Sequence, residues 1–211
     1  MTAAAAAFLG VTAAAALADW TAVWMSWRRL EYVIKPAVMV GLIAAALTLR
    51  PASETERALF VAALALGLLS DVFLMLPRDM FLAGLVAALF EHVAYIAGFR
   101  TRQLDVGLLA VAAVITLVSV AVFLPPIHRA LRAGHPGLVW PVFAYVAVFV
   151  VMVACAGGTG SLVALAGALL FFYSDAILAW NRFVKPLPMG RIVNIVPYHV
   201  GEALLVLSLL T

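Results

Sequence analysis

At 211 residues, 67% hydrophobic and only 11% charged, the chain lies far from the composition of a water-soluble domain, which is nearer half apolar and a quarter charged. A net charge of +3 is too small to argue for nucleic acid and fits loops that face anionic lipid headgroups. The lone cysteine, Cys155, excludes a disulfide within the chain and a thiol-based metal cluster.

An apolar stretch of about 20 residues crosses the hydrocarbon once. Eight are predicted in chain order, at 3–25, 33–49, 58–76, 80–99, 105–124, 138–155, 161–180 and 192–210. Ala16-Leu17-Ala18 in the first resembles a cleavage site. No Lys or Arg precedes that apolar run, so it is expected to be an uncleaved span rather than a signal peptide. Trp20, Trp24 and Trp27 at its end are expected to form an interfacial belt. The connections are short and hold most of the charges, among them PPIHRALRAGHPG at 125–137 and NRFVKPLPMGR at 181–191.

The expected fold is all-α: an integral membrane bundle of eight transmembrane helices, with 1–211 as a single transmembrane domain. Loops after spans 1, 3, 5 and 7 carry nine Lys and Arg against four on the other side. The positive-inside rule places the first set in the cytoplasm and both termini outside. The expected location is a bacterial inner (plasma) membrane.

Two segments interrupt the apolar pattern in the same way. Gly67–Leu76 reads GLLSDVFLML and Leu169–Leu178 reads LLFFYSDAIL. The Ser-Asp pairs are 104 residues apart. This offset suggests two parallel four-helix repeats, 1–104 and 105–211, with chance similarity between Leu/Ala-rich helices as the competing explanation.

A carboxyl group at mid-membrane costs about 2.5–3.5 kcal/mol on insertion scales, so it points inward and finds a partner. Asp71 and Asp175 are each predicted about 8–9 Å from the cytoplasmic boundary. At one depth on two helices they can converge on one pocket. Lys35 lies at the mouth of span 2. Glu91, His92 and Tyr95 occupy span 4, and Tyr198, His199 and Glu202 occupy span 8, where positions 198 and 202 share a face. Plain structural readings compete. In these the aspartates only tie helices together, Lys35 is a snorkelling anchor, and the histidines are satisfied core residues. Asp19 reads as a solvated helix-end charge. Ligand types for a metal are present, but H-x-x-x-H, H-E-x-x-H and cysteine clusters are not. Neither metal nor cofactor is expected.

A desolvated carboxyl beside a charged one is a general acid–base arrangement. Glycosidases use such a pair across an oxocarbenium-like transition state. Just beneath the headgroups, the bond within reach is at the top of a lipid chain.

Further residues carry a resemblance: Lys35-Pro36, Gly67–Met75, Phe81 and Gly84, Phe90-x-His92-x-x-Tyr95, Phe172–Phe183, and Tyr198 with His199 and Glu202. In these the chain resembles the YhhN-like lysoplasmalogenase family from span 2 onward, while span 1 adds little. That family's pattern usually has a small residue before the span-4 histidine, where this chain has Glu91, and often Gln in place of Glu202. The resemblance implies hydrolysis of the vinyl ether of lysoplasmalogens to a fatty aldehyde and glycerophosphoethanolamine or glycerophosphocholine. Its implied catalytic residues are Asp71 and Asp175. Lys35, Ser70, Glu91, His92, Tyr95, Ser174, Asn181, Tyr198, His199 and Glu202 bind substrate or support the pair. The implied partners are an alkenyl lysophospholipid and membrane lipids. A small transporter for a lipid or polar solute, and a non-catalytic lipid-binding membrane protein, remain alternatives from the residues alone. An intramembrane aspartyl protease fits poorly, since its Y-D and G-x-G-D contexts are absent.

Overall fold

Where backbone polar groups have no water to bond, a chain this apolar must satisfy them within helices. A computed structural model describing all 211 residues shows eight long helices and no strand. They are α1 (Ala3–Trp24), α2 (Arg28–Thr48), α3 (Glu54–Met75), α4 (Phe81–Phe99), α5 (Val106–Gly134), α6 (Val139–Gly158), α7 (Leu162–Ala179) and α8 (Gly190–Leu207). All eight are long and apolar enough to cross a membrane.

Four of the starts follow side-chain caps, which satisfy otherwise orphaned N–H groups. Thr2, Ser53, Asp105 and Ser161 each accept a backbone N–H three residues on. The limits of α2 and α5 differ most from those expected. α2 begins at Arg28, so the charged RRLE segment is its first turn, and Pro36 lies inside it. α5 continues through Pro125-Pro126 to Gly134. A proline lacks a donor but does not end a helix whose neighbours hold it. Here Ile127 and Leu131 of the continuation are buried.

Consecutive helices pack as hairpins, α1 with α2, α3 with α4, α5 with α6 and α7 with α8. Contacts of α2 with α3, α4 with α6, α6 with α7, and α8 with α1 and α2 close these into a ring, with α5 outside it. One end of the bundle holds both termini. There Thr2 donates to the Thr48 carbonyl at 2.7 Å, and Arg102 binds Glu56 at 2.7 Å and the Ser208 carbonyl. The opposite end is held by Arg191 on Glu31 and by Arg182 on Asp79 at 2.8 Å. The Arg182 hydrogen bond and the Phe81 N–H hold the Asp79 carboxyl below its ordinary range.

The α7–α8 crossing depends on two glycines. A methyl at Gly201 would lie 2.9 Å from the Gly167 carbonyl oxygen and 3.0 Å from the Phe171 nitrogen, both backbone atoms. Such close approach is how membrane helices gain packing without a hydrophobic drive. Gly201→Ala is therefore expected to destabilise the protein by about 1–3 kcal/mol, against alanine's better helix propensity. Thermal unfolding in detergent checks this, and an unchanged or raised Tm would contradict it.

Candidate active site

The paired Ser-Asp motifs divide their labour by helical geometry. Consecutive helix residues point in different directions, so one can hold a neighbouring helix while the next faces a cavity. In α3, the Ser70 hydroxyl donates to the Gly84 carbonyl of α4 at 3.0 Å. In α7, the Ser174 hydroxyl donates to the Asn194 carbonyl of α8 at 2.9 Å, and the Asn194 amide returns bonds of 2.8 Å to the Ser174 carbonyl and hydroxyl oxygens. The serines are thus staples between helices. Asp71 and Asp175 line one cavity of about 280 Å³, whose wall Ser70 and Ser174 also reach.

This cavity lies toward the end formed by the α1–α2, α3–α4, α5–α6 and α7–α8 connections. Its apolar walls include Leu85, Phe123, Phe149 and Phe172, and its polar groups include Lys35, Glu91, Tyr145 and Tyr198. An apolar slot with a few convergent polar groups is the general form of a small-molecule site.

The two aspartates have different partners. Asp71 Oδ1 is 2.7 Å from Lys35 Nζ, and its Oδ2 accepts from the Tyr198 hydroxyl at 2.9 Å. The Lys35 ammonium also lies 5.4 Å from the Tyr198 ring centroid. Lys35 is only 13% exposed in its side chain, so it is held within the bundle. Asp175 instead accepts from the Tyr145 hydroxyl, and no cation lies within ion-pair distance of it. Tyr145 is in turn 2.8 Å from His92 Nε2. The single Tyr145 proton goes to Asp175, so His92 must donate through Nε2, an assignment made from the network. His92 packs against Phe149 with ring centroids 3.9 Å apart and planes tilted by 32°. The chain His92–Tyr145–Asp175 therefore fixes the second carboxyl from behind.

The remaining expected residues separate into layers. Glu91 lines the cavity and faces the Glu202 carboxyl. Gly67 makes room for it, since a methyl there would lie 2.8 Å from Glu91 Cδ. Glu202 is fully buried behind, with Oε2 accepting from the Tyr95 hydroxyl at 2.5 Å. Tyr95 itself is packed edge-on against Phe60. His199 does not line the cavity. Its Nδ1 accepts from Trp20 Nε1 at 3.1 Å. Asn181 is also outside the cavity, where its side-chain oxygen accepts from the Leu187 N–H at 2.8 Å and shapes the α7–α8 connection.

Two expectations about α1 are overturned. Asp19 is not a solvated helix-end charge: it is 0% exposed, and neither carboxyl oxygen has a partner. Packing of α1 against α2 and α8 covers it. Trp20 does not belong to the interfacial belt, because it turns inward to His199, whereas Trp24 and Trp27 are exposed. Tyr145 is not among the expected site residues. A phenol in the otherwise apolar span VWPVFAYVAVFVV was the available signal for Tyr145. No group of three or more His, Cys, Asp and Glu is placed to hold a metal ion.

The YhhN family profile matches residues 30–209, beginning two residues into α2. Lysoplasmalogenase TMEM86B of Mus musculus is 32% identical over 155 residues, spanning 72% of this chain and 63% of the relative. The Homo sapiens protein of that name is 31% identical over the same shares. That of Sus scrofa is 34% identical over 150 residues, 69% of this chain and 61% of the relative. The matched segment thus spans less than two thirds of these curated relatives. No solved structure matches the chain. With a profile match running from the start of α2 almost to the C-terminus, the chain belongs to the YhhN family.

Proposed function

We propose that this protein is a membrane hydrolase that cleaves the vinyl ether bond of lysoplasmalogens, releasing a fatty aldehyde and glycerophosphoethanolamine or glycerophosphocholine. The observation that carries this reading is the placement of two carboxyls with unlike partners, Asp71 on Lys35 and Asp175 on Tyr145, around one largely apolar cavity. The lysoplasmalogenase relatives support the substrate class.

A vinyl ether is hydrolysed by protonation of its β-carbon. Asp175, which has no cation of its own, is the proton donor, and Tyr145 with His92 holds it in place. Proton transfer to carbon leaves an oxocarbenium ion. Asp71, paired with the Lys35 ammonium, stabilises that cation and takes the proton from the water that attacks it. The hemiacetal then collapses. Asp71 returns its proton to the departing glycerol oxygen, Asp175 takes the hemiacetal hydroxyl proton, and both carboxyls regain their starting states. The aromatic walls hold the alkenyl chain and exclude bulk water.

The mouth faces the cytoplasm in this reading, in a bacterial inner (plasma) membrane, on the strength of the nine-to-four distribution of Lys and Arg. The chain is read as one domain with two parallel halves. Support comes from the matching roles of Ser70 and Ser174, each bonded to a carbonyl on the following helix.

The test is mass spectrometry of products after purified protein is incubated with mixed alkenyl, alkyl and acyl lysolipids. Aldehyde release from the alkenyl species alone is expected. Cleavage of acyl species alone, or of none, would overturn the assignment.

A further inference from the structure

Resting on the hydrolase reading, a second feature of the cavity concerns the headgroup. Arg28, Glu31, Tyr32 and Lys35 all line the cavity from α2. Their spacing of three, four and seven residues puts them on one face of that helix. The stripe climbs about 10 Å from Lys35, beside Asp71, to Arg28 at the exposed rim. Arg191 at the start of α8 completes the group. Its Nη2 is 2.5 Å from both carboxylate oxygens of Glu31.

The charges along this stripe alternate. Outward from the catalytic carboxyls come Lys35, then Glu31 clamped by Arg191, then Arg28. A phosphate needs cations only, so a carboxylate in the middle of the path weakens binding of a purely anionic head. It suits a head in which a positive group follows the phosphate. Glu31 retains acceptor capacity beyond the single Arg191 nitrogen, since a carboxylate offers about four lone-pair sites. Tyr32, on the same stripe and exposed, adds an aromatic face of the kind that attracts ammonium groups.

We propose that Glu31, with Tyr32 beside it, is the headgroup-selecting residue, accepting the ammonium of a zwitterionic lysophospholipid whose phosphate lies on Lys35 and Arg191. Lipids with the same phosphate but no amine are disfavoured by the same carboxylate.

The test uses alkyl lysolipids, which lack the reactive double bond, binding to the full-length protein in detergent. One ligand carries phosphoethanolamine and the other phosphoglycerol. The wild type is expected to favour the amine-bearing lipid by about tenfold, the scale of one charge-assisted hydrogen bond. Glu31→Gln removes that preference, and Glu31→Asp keeps it. Tyr32→Leu, at an exposed position, lowers the same ratio without depending on the Arg191 clamp. A wild type that binds both lipids equally overturns the proposal. So does a ratio unchanged in both Glu31→Gln and Tyr32→Leu, which would leave Glu31 a clamp between α2 and α8 only. Aldehyde release is scored separately on the alkenyl lipid. Release with a Glu31-independent ratio defeats this inference alone, and selective binding without release defeats the hydrolase reading alone.

Discussion

Asp175→Asn is expected to reduce aldehyde release by about 10²–10⁴-fold, the range for loss of a positioned general acid. The substitution is close to isosteric. An Asn oxygen can still accept from the Tyr145 hydroxyl, so the hydrogen bond that orients position 175 survives. What is lost is the transferable proton. Asp71→Asn should give a loss of similar size for a different reason, since the carboxylate opposite the cationic intermediate is gone. Tm and substrate binding for Asp175→Asn should stay near wild type, which separates a chemical defect from a folding one. Full rate in both variants would remove the proposed mechanism.

Lys35→Met should be the most destabilising single change at the site. The Lys35 and Asp71 side chains are 13% and 7% exposed, and removing one partner of a buried ion pair costs about 3–5 kcal/mol because the other charge is stranded. The double variant Lys35→Met/Asp71→Asn should recover most of that stability, since it buries no uncompensated charge. It should remain inactive. Unfolding in detergent with a double-mutant cycle measures the coupling. A snorkelling anchor predicts something else: a small effect of Lys35→Met and no rescue by the second substitution. The cycle therefore decides between the two roles of this lysine.

Hydropathy alone locates the eight helices, because a bilayer demands long apolar runs and little else. It misplaces the limits of α2 and α5 because charged residues and prolines can be helical at the interface. RRLE and PPIHRALRAG are such segments. The Ser-Asp pairs are legible as chemistry because a carboxyl is costly in oil. Their partners are not legible in the same way. Tyr145 reaches Asp175 across 30 residues and Tyr198 reaches Asp71 across 127, and such pairings arise only from helix packing. Asp19 shows the opposite failure. Its position near a helix end suggests solvent, yet α2 and α8 cover it. His199 and Asn181 carry side chains suited to a site, but both lie outside the cavity, with His199 Nδ1 accepting from Trp20 and the Asn181 side-chain oxygen accepting from the Leu187 N–H.

In the proposed mechanism a carboxyl in this cavity transfers a proton to the β-carbon of a lysolipid vinyl ether. Turnover of an alkenyl lysolipid in deuterium oxide tests it directly. A fatty aldehyde carrying a single deuterium on the carbon next to the carbonyl is expected from the wild type and is lost in Asp175→Asn. Aldehyde without deuterium at that carbon, or labelled aldehyde released at an undiminished rate by Asp175→Asn, would contradict it.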